Sequence, residues 1–344
     1  MTLHCAFIGF GKSTTRYHLP YVLHRKDRWQ VAHIYRRRAK PEEQAPQYSH
    51  IHFTSDLDEV LNDPLVKLVV VCTHADSHFE YAKKALEAGK NVLVEKPFTP
   101  TLEEAKTLFA LANSKGLTVT PYQNRRFDSC FLTTKKVIES GKLGELVEIE
   151  SHFDNYRPLA ETNPGGPQNG EFYGLGVHTL DQIISLFGRP DHVSYDLRSL
   201  RNKANPDDTF EAQLFYGDMK AIVKTSHLVQ SITKFIVHGH KGSFVKYGID
   251  QQETSLKANI MPGEPGFGAD DSVGELVYVN EAGEMVREAV PLESGDYGRV
   301  YDALYDTLVN GQPNYVKETD VLTNMEILQR GFEQPSPATI TLTR

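Results

Sequence analysis

Residues Leu3 to Ile8, LHCAFI, run directly into Gly9-Phe10-Gly11-Lys12-Ser13-Thr14. An apolar run that stops at two closely spaced glycines and restarts with helix-compatible residues describes a buried strand turning sharply into a helix. Gly9 permits the tight turn and Gly11 lets a ligand approach the backbone. The N–H groups of Lys12 and Ser13 then offer an anion site at the start of the helix. The third glycine position of a dinucleotide fingerprint is occupied by Thr14, neither Gly nor Ala. Strand-like runs recur at 30–35, 67–72, 91–94 and 117–120. Amphipathic stretches separate them, such as Leu102, Ala105, Leu108, Phe109 and Ala112. Such alternation predicts a parallel sheet with crossover helices.

Beyond Asp128 the period changes. One helix is expected at 131–140, followed by alternating residues from Glu145 to about Val290 that predict antiparallel strands. A single helical island interrupts them at 176–187, where Val177, Leu180, Ile183, Ile184 and Phe187 share one face. Two further helical patterns, built on Val300, Ala303, Leu304, Leu308 and on Val321, Met325, Leu328, Phe332, precede a strand-like tail. The Pro/Gly-rich stretches 163–170 and 261–268 read as long loops. With 344 residues there is chain enough for two cores. The expectation is an α/β protein. A Rossmann domain with a doubly wound parallel sheet spans 1–122, and an α+β domain with a large, mostly antiparallel sheet spans 123–344.

The cofactor is read from the end of the second strand. Dinucleotide folds that bind NAD place a carboxylate there, about 20 residues past the glycines, to accept from the ribose hydroxyls. Here Arg36 and Arg37 stand in that position, and guanidinium groups suit a 2′-phosphate. NADP is therefore favoured and NAD remains possible; a solvated basic turn is the alternative. The net charge of −8 argues against a nucleic-acid partner. Cys5, Cys72 and Cys130 have no paired spacing, which fits a reducing, cytoplasmic compartment. No apolar run approaches the roughly 18 residues of a membrane span. His74 and His78 have the spacing of a metal pair but lack a third ligand, so no metal is expected.

Two more strand ends, VVVCTHADSH and NVLVEKPF, carry polar residues just past their carboxyl ends, where open α/β sheets bind ligands. Taken with GFGKS, the Glu95-Lys96-Pro97 triplet, NRRFD at 124–128, SGKLGEL at 140–146 and FYGLGVHTLDQ, they make the chain resemble the Gfo/Idh/MocA family over essentially its whole length. Relatives commonly carry TPNxxH where this chain has THADSH. The resemblance implies hydride transfer between a nicotinamide cofactor and a sugar, polyol or related keto compound. It also implies a homo-dimer or tetramer.

By the same resemblance Lys96 sits at the catalytic centre, where a partly desolvated lysine has its pKa lowered and serves as base or relay. His178 would hydrogen-bond the substrate hydroxyl, and Asp181, one helical turn on, would orient its imidazole. The expected cofactor contacts are Gly9, Phe10, Gly11, Lys12 and Ser13 at the first turn, Tyr35, Arg36 and Arg37 at the second, and Cys72, Thr73, His74 and His78 at the next. Glu95 and Lys96 follow, with Gln123 and Arg126 lining the junction between domains. The chain departs from the family at Gly174, where relatives usually carry an aspartate four residues before the histidine. That departure keeps two other readings open, a cofactor-binding regulatory protein without efficient hydride chemistry and a nicotinamide-assisted glycosidase or lyase.

Overall fold

Six parallel strands organise the first of two units in the computed structural model, which describes residues 1–161 and 164–342. They are β1 (Leu3–Ile8), β2 (Trp29–Tyr35), β3 (His52–Thr54), β4 (Val66–Val71), β5 (Asn91–Val94) and β6 (Val119–Pro121), in the order 3-2-1-4-5-6. Cys5, Ala6, Phe7 and Ile8 of β1 and Leu68 to Val71 of β4 have no exposed surface. Unbroken apolar runs of this kind belong to strands covered on both faces, which is why the sheet is parallel and its crossovers helical. The strand order reverses between β1 and β4, the switch point outside which ligands bind in open sheets. β3, only three residues long and at the sheet edge, leaves too short a pattern to be read from sequence.

At that switch point Gly9 has φ of +111°, and a Cβ on it would lie 2.4 Å from the Cys72 carbonyl oxygen. Its N–H donates to the Tyr35 carbonyl at 2.8 Å, and the Cys72 N–H donates to Ile8 at 2.8 Å, so the ends of β1, β2 and β4 meet around it. Thr14 explains its place in the fingerprint. It is fully buried, and its hydroxyl donates to the Gly9 carbonyl at 2.8 Å, closing the turn that a third glycine would otherwise ease. The helix then opens with a π-helical turn, Thr14–His18, an irregularity that spacing did not foretell.

The first unit comprises Met1–Asn124, Thr254–Phe267 and Tyr297–Leu322. In the last of these segments the helix Arg299–Asn310 docks through Tyr301, whose carbonyl accepts from the Trp29 indole at 3.0 Å. Asp302 beside it accepts from Arg25 at 2.9 Å and Arg28 at 3.2 Å.

The second unit is built on nine strands: β7 (Leu146–His152), β8 (His192–Arg198), β9 (Thr209–Tyr216), β10 (Met219–Ser226), β11 (Thr233–Gly239), β12 (Gly242–Tyr247), β13 (Gly274–Val279), β14 (Met285–Val290) and β15 (Ala338–Thr341). They lie in the order 14-13-12-11-7-10-9-8-15. The β7–β10 pair is parallel and the other pairs are antiparallel. Alternate residues of β9 and β10, Phe210, Ala212, Leu214, Ala221 and Val223, join Val177, Leu180, Ile183 and Ile184 of the helix Val177–Phe187 in one core. The stretch read as strands with one helical island contains a second helix, Gln252–Lys257. Asp250 starts it by accepting the Gln252 N–H at 2.8 Å, a local cap that outweighs the alternation around it. The loop expected at 163–170 begins at Asn163, outside the described residues; Pro167–Asn169 within it form a 3₁₀ turn. Among the described residues no helix is long and apolar enough to cross a membrane.

The crowding at Gly9 gives a direct stability test. Gly9→Ala combines a left-handed backbone with a clash against rigid carbonyl, so it should destabilise the chain by about 2–4 kcal/mol in urea unfolding. Gly11→Ala, where a Cβ meets nothing within 4 Å, should be close to neutral in the same assay.

Candidate cofactor site and the helix carrying His178

In the first unit the expected contact residues gather at the carboxyl ends of β1, β2, β4 and β5. Gly11, Lys12 and Ser13 are at least partly exposed, and the space over Gly11 is open, as a diphosphate approaching the backbone requires. Phe10 is buried instead, packed edge-on against Phe53 at 5.0 Å and Tyr48 at 5.7 Å. Tyr35 lies beside Tyr81 with ring centroids 6.1 Å apart.

Arg36 and Arg37 part company. Arg37 is exposed, whereas Arg36 donates from Nε at 2.6 Å and from Nη2 at 3.0 Å to the two oxygens of Glu43. Arg36 holds the Glu43 carboxyl below its ordinary range against the opposing effect of burial. Sequence reasoning missed Glu43, which lies seven residues beyond the arginine, on a 3₁₀ turn formed by Pro41–Gln44. It also missed Lys40, whose ammonium donates to the Phe10 carbonyl at 2.6 Å.

At the ends of β4 and β5 the side chains brace one another. Burial, with the neighbouring Glu95 carboxylate adding to it, keeps the Cys72 thiol well above its ordinary pKa. Thr73 receives a hydrogen bond from Ser77 at 2.9 Å, and His74 is exposed. His78 is buried, its Nδ1 2.8 Å from the Pro97 carbonyl and its Nε2 3.2 Å from the Thr73 carbonyl. Its ring thereby ties the loop after β4 to the loop after β5. Burial lowers its pKa, although both carbonyls favour the cation. The Lys96–Pro97 peptide is cis.

Glu95 is the hub of this group. The Ser13 hydroxyl donates to it, His18 Nε2 lies 3.0 Å from its Oε1, and the Lys96 N–H donates to its Oε2 at 2.9 Å. Burial alone would raise the carboxyl, but His18, Ser13 and the Lys96 charge together bring it down to about 2. The His18 ring reaches the Tyr301 hydroxyl at 2.8 Å from its other nitrogen. Gln123 is buried, its N–H 3.2 Å from the Tyr315 hydroxyl, which itself donates to Pro121 at 2.9 Å.

In the second unit His178 and Asp181 are buried on the helix Val177–Phe187. Asp181 is gripped by Arg126, with Nε and Nη2 each 2.8 Å from one carboxylate oxygen. Such a two-pronged bond fixes both planes. The sequence departure at Gly174 lies in the turn before this helix. A π-helical turn, Phe172–Gly176, precedes it, and a Cβ on Gly174 would lie 3.6 Å from Oε2 of Glu171. A carboxylate thus stands beside Gly174, supplied three residues earlier and contacting His227 Nε2 at 2.9 Å.

Residues 3–123 match the description "Oxidoreductase family, NAD-binding Rossmann fold", and residues 135–341 match "Oxidoreductase family, C-terminal alpha/beta domain" of the same family. The chain belongs to the Gfo/Idh/MocA oxidoreductase family. Within it, the chain is 82% identical to the uncharacterized oxidoreductase YhhX of Escherichia coli strain K12, with all of both chains covered. The crystal structure of yhhX superposes with a TM-score of 0.99 over 100% of each chain. A Gfo/Idh/MocA relative named scyllo-inositol 2-dehydrogenase (NADP(+)) IolW, from Bacillus subtilis strain 168, is 32% identical over 96% of this chain and 93% of its own.

Two outcomes follow from the carboxylates. Because the folded Glu95 carboxyl lies below its ordinary 4.5, its contribution to stability is present above that value and is lost as pH falls toward 2. Glu95→Gln should therefore flatten the acid limb of a stability-against-pH curve between about pH 5 and 2. Gly174→Asp should set two carboxylates side by side, which raises the folded pKa of the pair and costs stability above their ordinary range. Thermal melts should show the loss at pH 7, little of it at pH 3.5, and relief at pH 7 when Glu171→Gln is added.

Proposed function

We propose that the chain is an NADP-dependent dehydrogenase or reductase acting on the CH–OH group of a sugar, polyol or related keto compound. The observation that carries this reading is the carboxyl end of β2. Exposed Arg37 lies next to Arg36, whose partner Glu43 is buried with both oxygens engaged, which favours a phosphate over ribose hydroxyls at this place. The NADP named for IolW supports the same cofactor, and its named substrate makes scyllo-inositol the first compound to try. NAD would need an acid with open oxygens at this place.

The residues fit a dinucleotide: the bare backbone over Gly11 admits its diphosphate, and the N–H groups of Lys12 and Ser13 bind it. When bound, the nicotinamide accepts or supplies the hydride. In this reading Lys96, half-buried behind the apolar β5, takes the proton from the reacting hydroxyl. His178 is the residue proposed to hydrogen-bond the substrate hydroxyl, and Asp181 with Arg126 forms a rigid polar pair on the helix that carries it. Glu95, Cys72 and His78 hold the loops around Thr73, His74 and Lys96 in shape. Residues 1–122, joined by 254–267 and 297–322 of the same unit, act as the dinucleotide-binding domain, and the rest of 123–344 acts as the substrate and assembly domain of a homo-dimer or tetramer. Three buried, unbridged cysteines support a cytoplasmic setting.

Lys96→Ala is the test. Turnover of scyllo-inositol with NADP should fall at least about a hundredfold, while NADPH affinity measured by fluorescence stays within a few-fold. Undiminished turnover would remove Lys96 from proton transfer. A wild type that binds NADPH yet turns over no polyol, sugar or keto compound would favour a regulatory binding protein.

A further inference from the structure

The basic turn after β2 is built more elaborately than two arginines require. The Gly9 N–H donates to the Tyr35 carbonyl at 2.8 Å, which sets Arg36 beside the glycine turn. Arg36 is then held by both oxygens of Glu43, and Oε1 of the same carboxylate accepts the Lys40 N–H at 2.8 Å. Lys40 turns back, its ammonium 2.6 Å from the Phe10 carbonyl and 5.9 Å from the centre of the Phe10 ring. One buried carboxylate thus organises a closed circuit from the glycine turn through Arg36 and Lys40 to the glycine turn again.

The chemistry of Glu43 separates two roles. Its side chain is 6% exposed, and both oxygens are occupied by charge-assisted or backbone donors. With three donors on about four acceptor sites, such an acid keeps at most one lone pair, too few for the two ribose hydroxyls that an NAD-type acceptor binds. Its charge is matched by Arg36, and Arg37, Arg38 and Lys40 against Glu42 leave a local excess of cations. A fixed guanidinium loses less freedom on meeting a phosphate than a mobile one.

The geometry points to a pre-assembled selector for a ribose 2′-phosphate, in which Glu43 is the positioning residue that aims Arg36 and Lys40 is a further phosphate-binding cation. The selector rests on the NADP reading and names residues that reading does not contain. Lys40 reaches the phosphate by exchanging the Phe10 carbonyl for it, a swap of one oxygen acceptor for a charged one.

The experiment compares adenosine 2′,5′-bisphosphate with adenosine 5′-monophosphate, which differ only by the 2′-phosphate, in calorimetric titrations of the whole chain. Wild type should bind the bisphosphate at least about tenfold tighter. Glu43→Gln and Lys40→Met should each cut that ratio about fivefold or more while leaving the monophosphate within twofold, because a general loss of structure would weaken both ligands alike. Lys40 is exposed, so its variant keeps the test valid even if Glu43→Gln fails to fold. A wild-type preference that survives both substitutions overturns the selector and leaves the NADP reading standing. A Glu43→Gln variant that loses the monophosphate overturns it in favour of a ribose acceptor. A wild type without preference overturns the selector and the NADP reading together.

Discussion

A buried carboxylate cannot stay ionised without partners, and the first unit is arranged around supplying them to Glu95. Ser13 comes from the helix after β1, His18 from the end of its π-helical turn, and the Lys96 N–H from the loop after β5. Each partner ties an element that borders the glycine turn. Removing the carboxylate would leave His18 facing a hole and would free the loop that presents Lys96. The geometry of the ligand-facing backbone is thus maintained from below by one charge, and the apolar strands around it keep water from relieving the constraint.

The same logic recurs in the second unit on a smaller scale. Arg126 and Asp181 pair through two parallel hydrogen bonds, so the helix bearing His178 carries a charge pair into a buried setting without leaving an ion unpaired. Beside Gly174, Glu171 and His227 form a second acid–base contact. A carboxylate therefore stands beside position 174 although residue 174 itself is glycine.

Much of this architecture was legible because parallel strands buried on both faces have no polar alternation to confuse, and β1, β4 and β5 read as plain apolar runs. The glycine turn, the EKP triplet and the apolar face of Val177 to Phe187 were local signals, complete within a dozen residues. What escaped was of another kind. Glu43 and Lys40 act on Arg36 and Phe10 through a pair of 3₁₀ turns that leave no periodic trace. The grip of Arg126 on Asp181 spans 55 residues, and that of His18 on Tyr301 spans 283. Partners at such separations are chosen by the fold and are invisible to spacing. Gly174 was legible as a departure, while Glu171, three residues earlier and so its neighbour on a helical turn, went unremarked.

The return of the helix Arg299–Asn310 to the first unit has a consequence for the order in which the protein takes shape. Tyr301 meets His18, and Trp29 meets the Tyr301 backbone, across almost the whole length of the chain. During synthesis the amino-terminal strands leave the ribosome first, but these contacts have to wait until residue 301 has been made. A chain cut short before residue 297 would thus keep every strand of the parallel sheet and still lack the side chain against which His18 is set. The framework around His18 is in this way completed only by a segment that follows β7 to β14 in the chain.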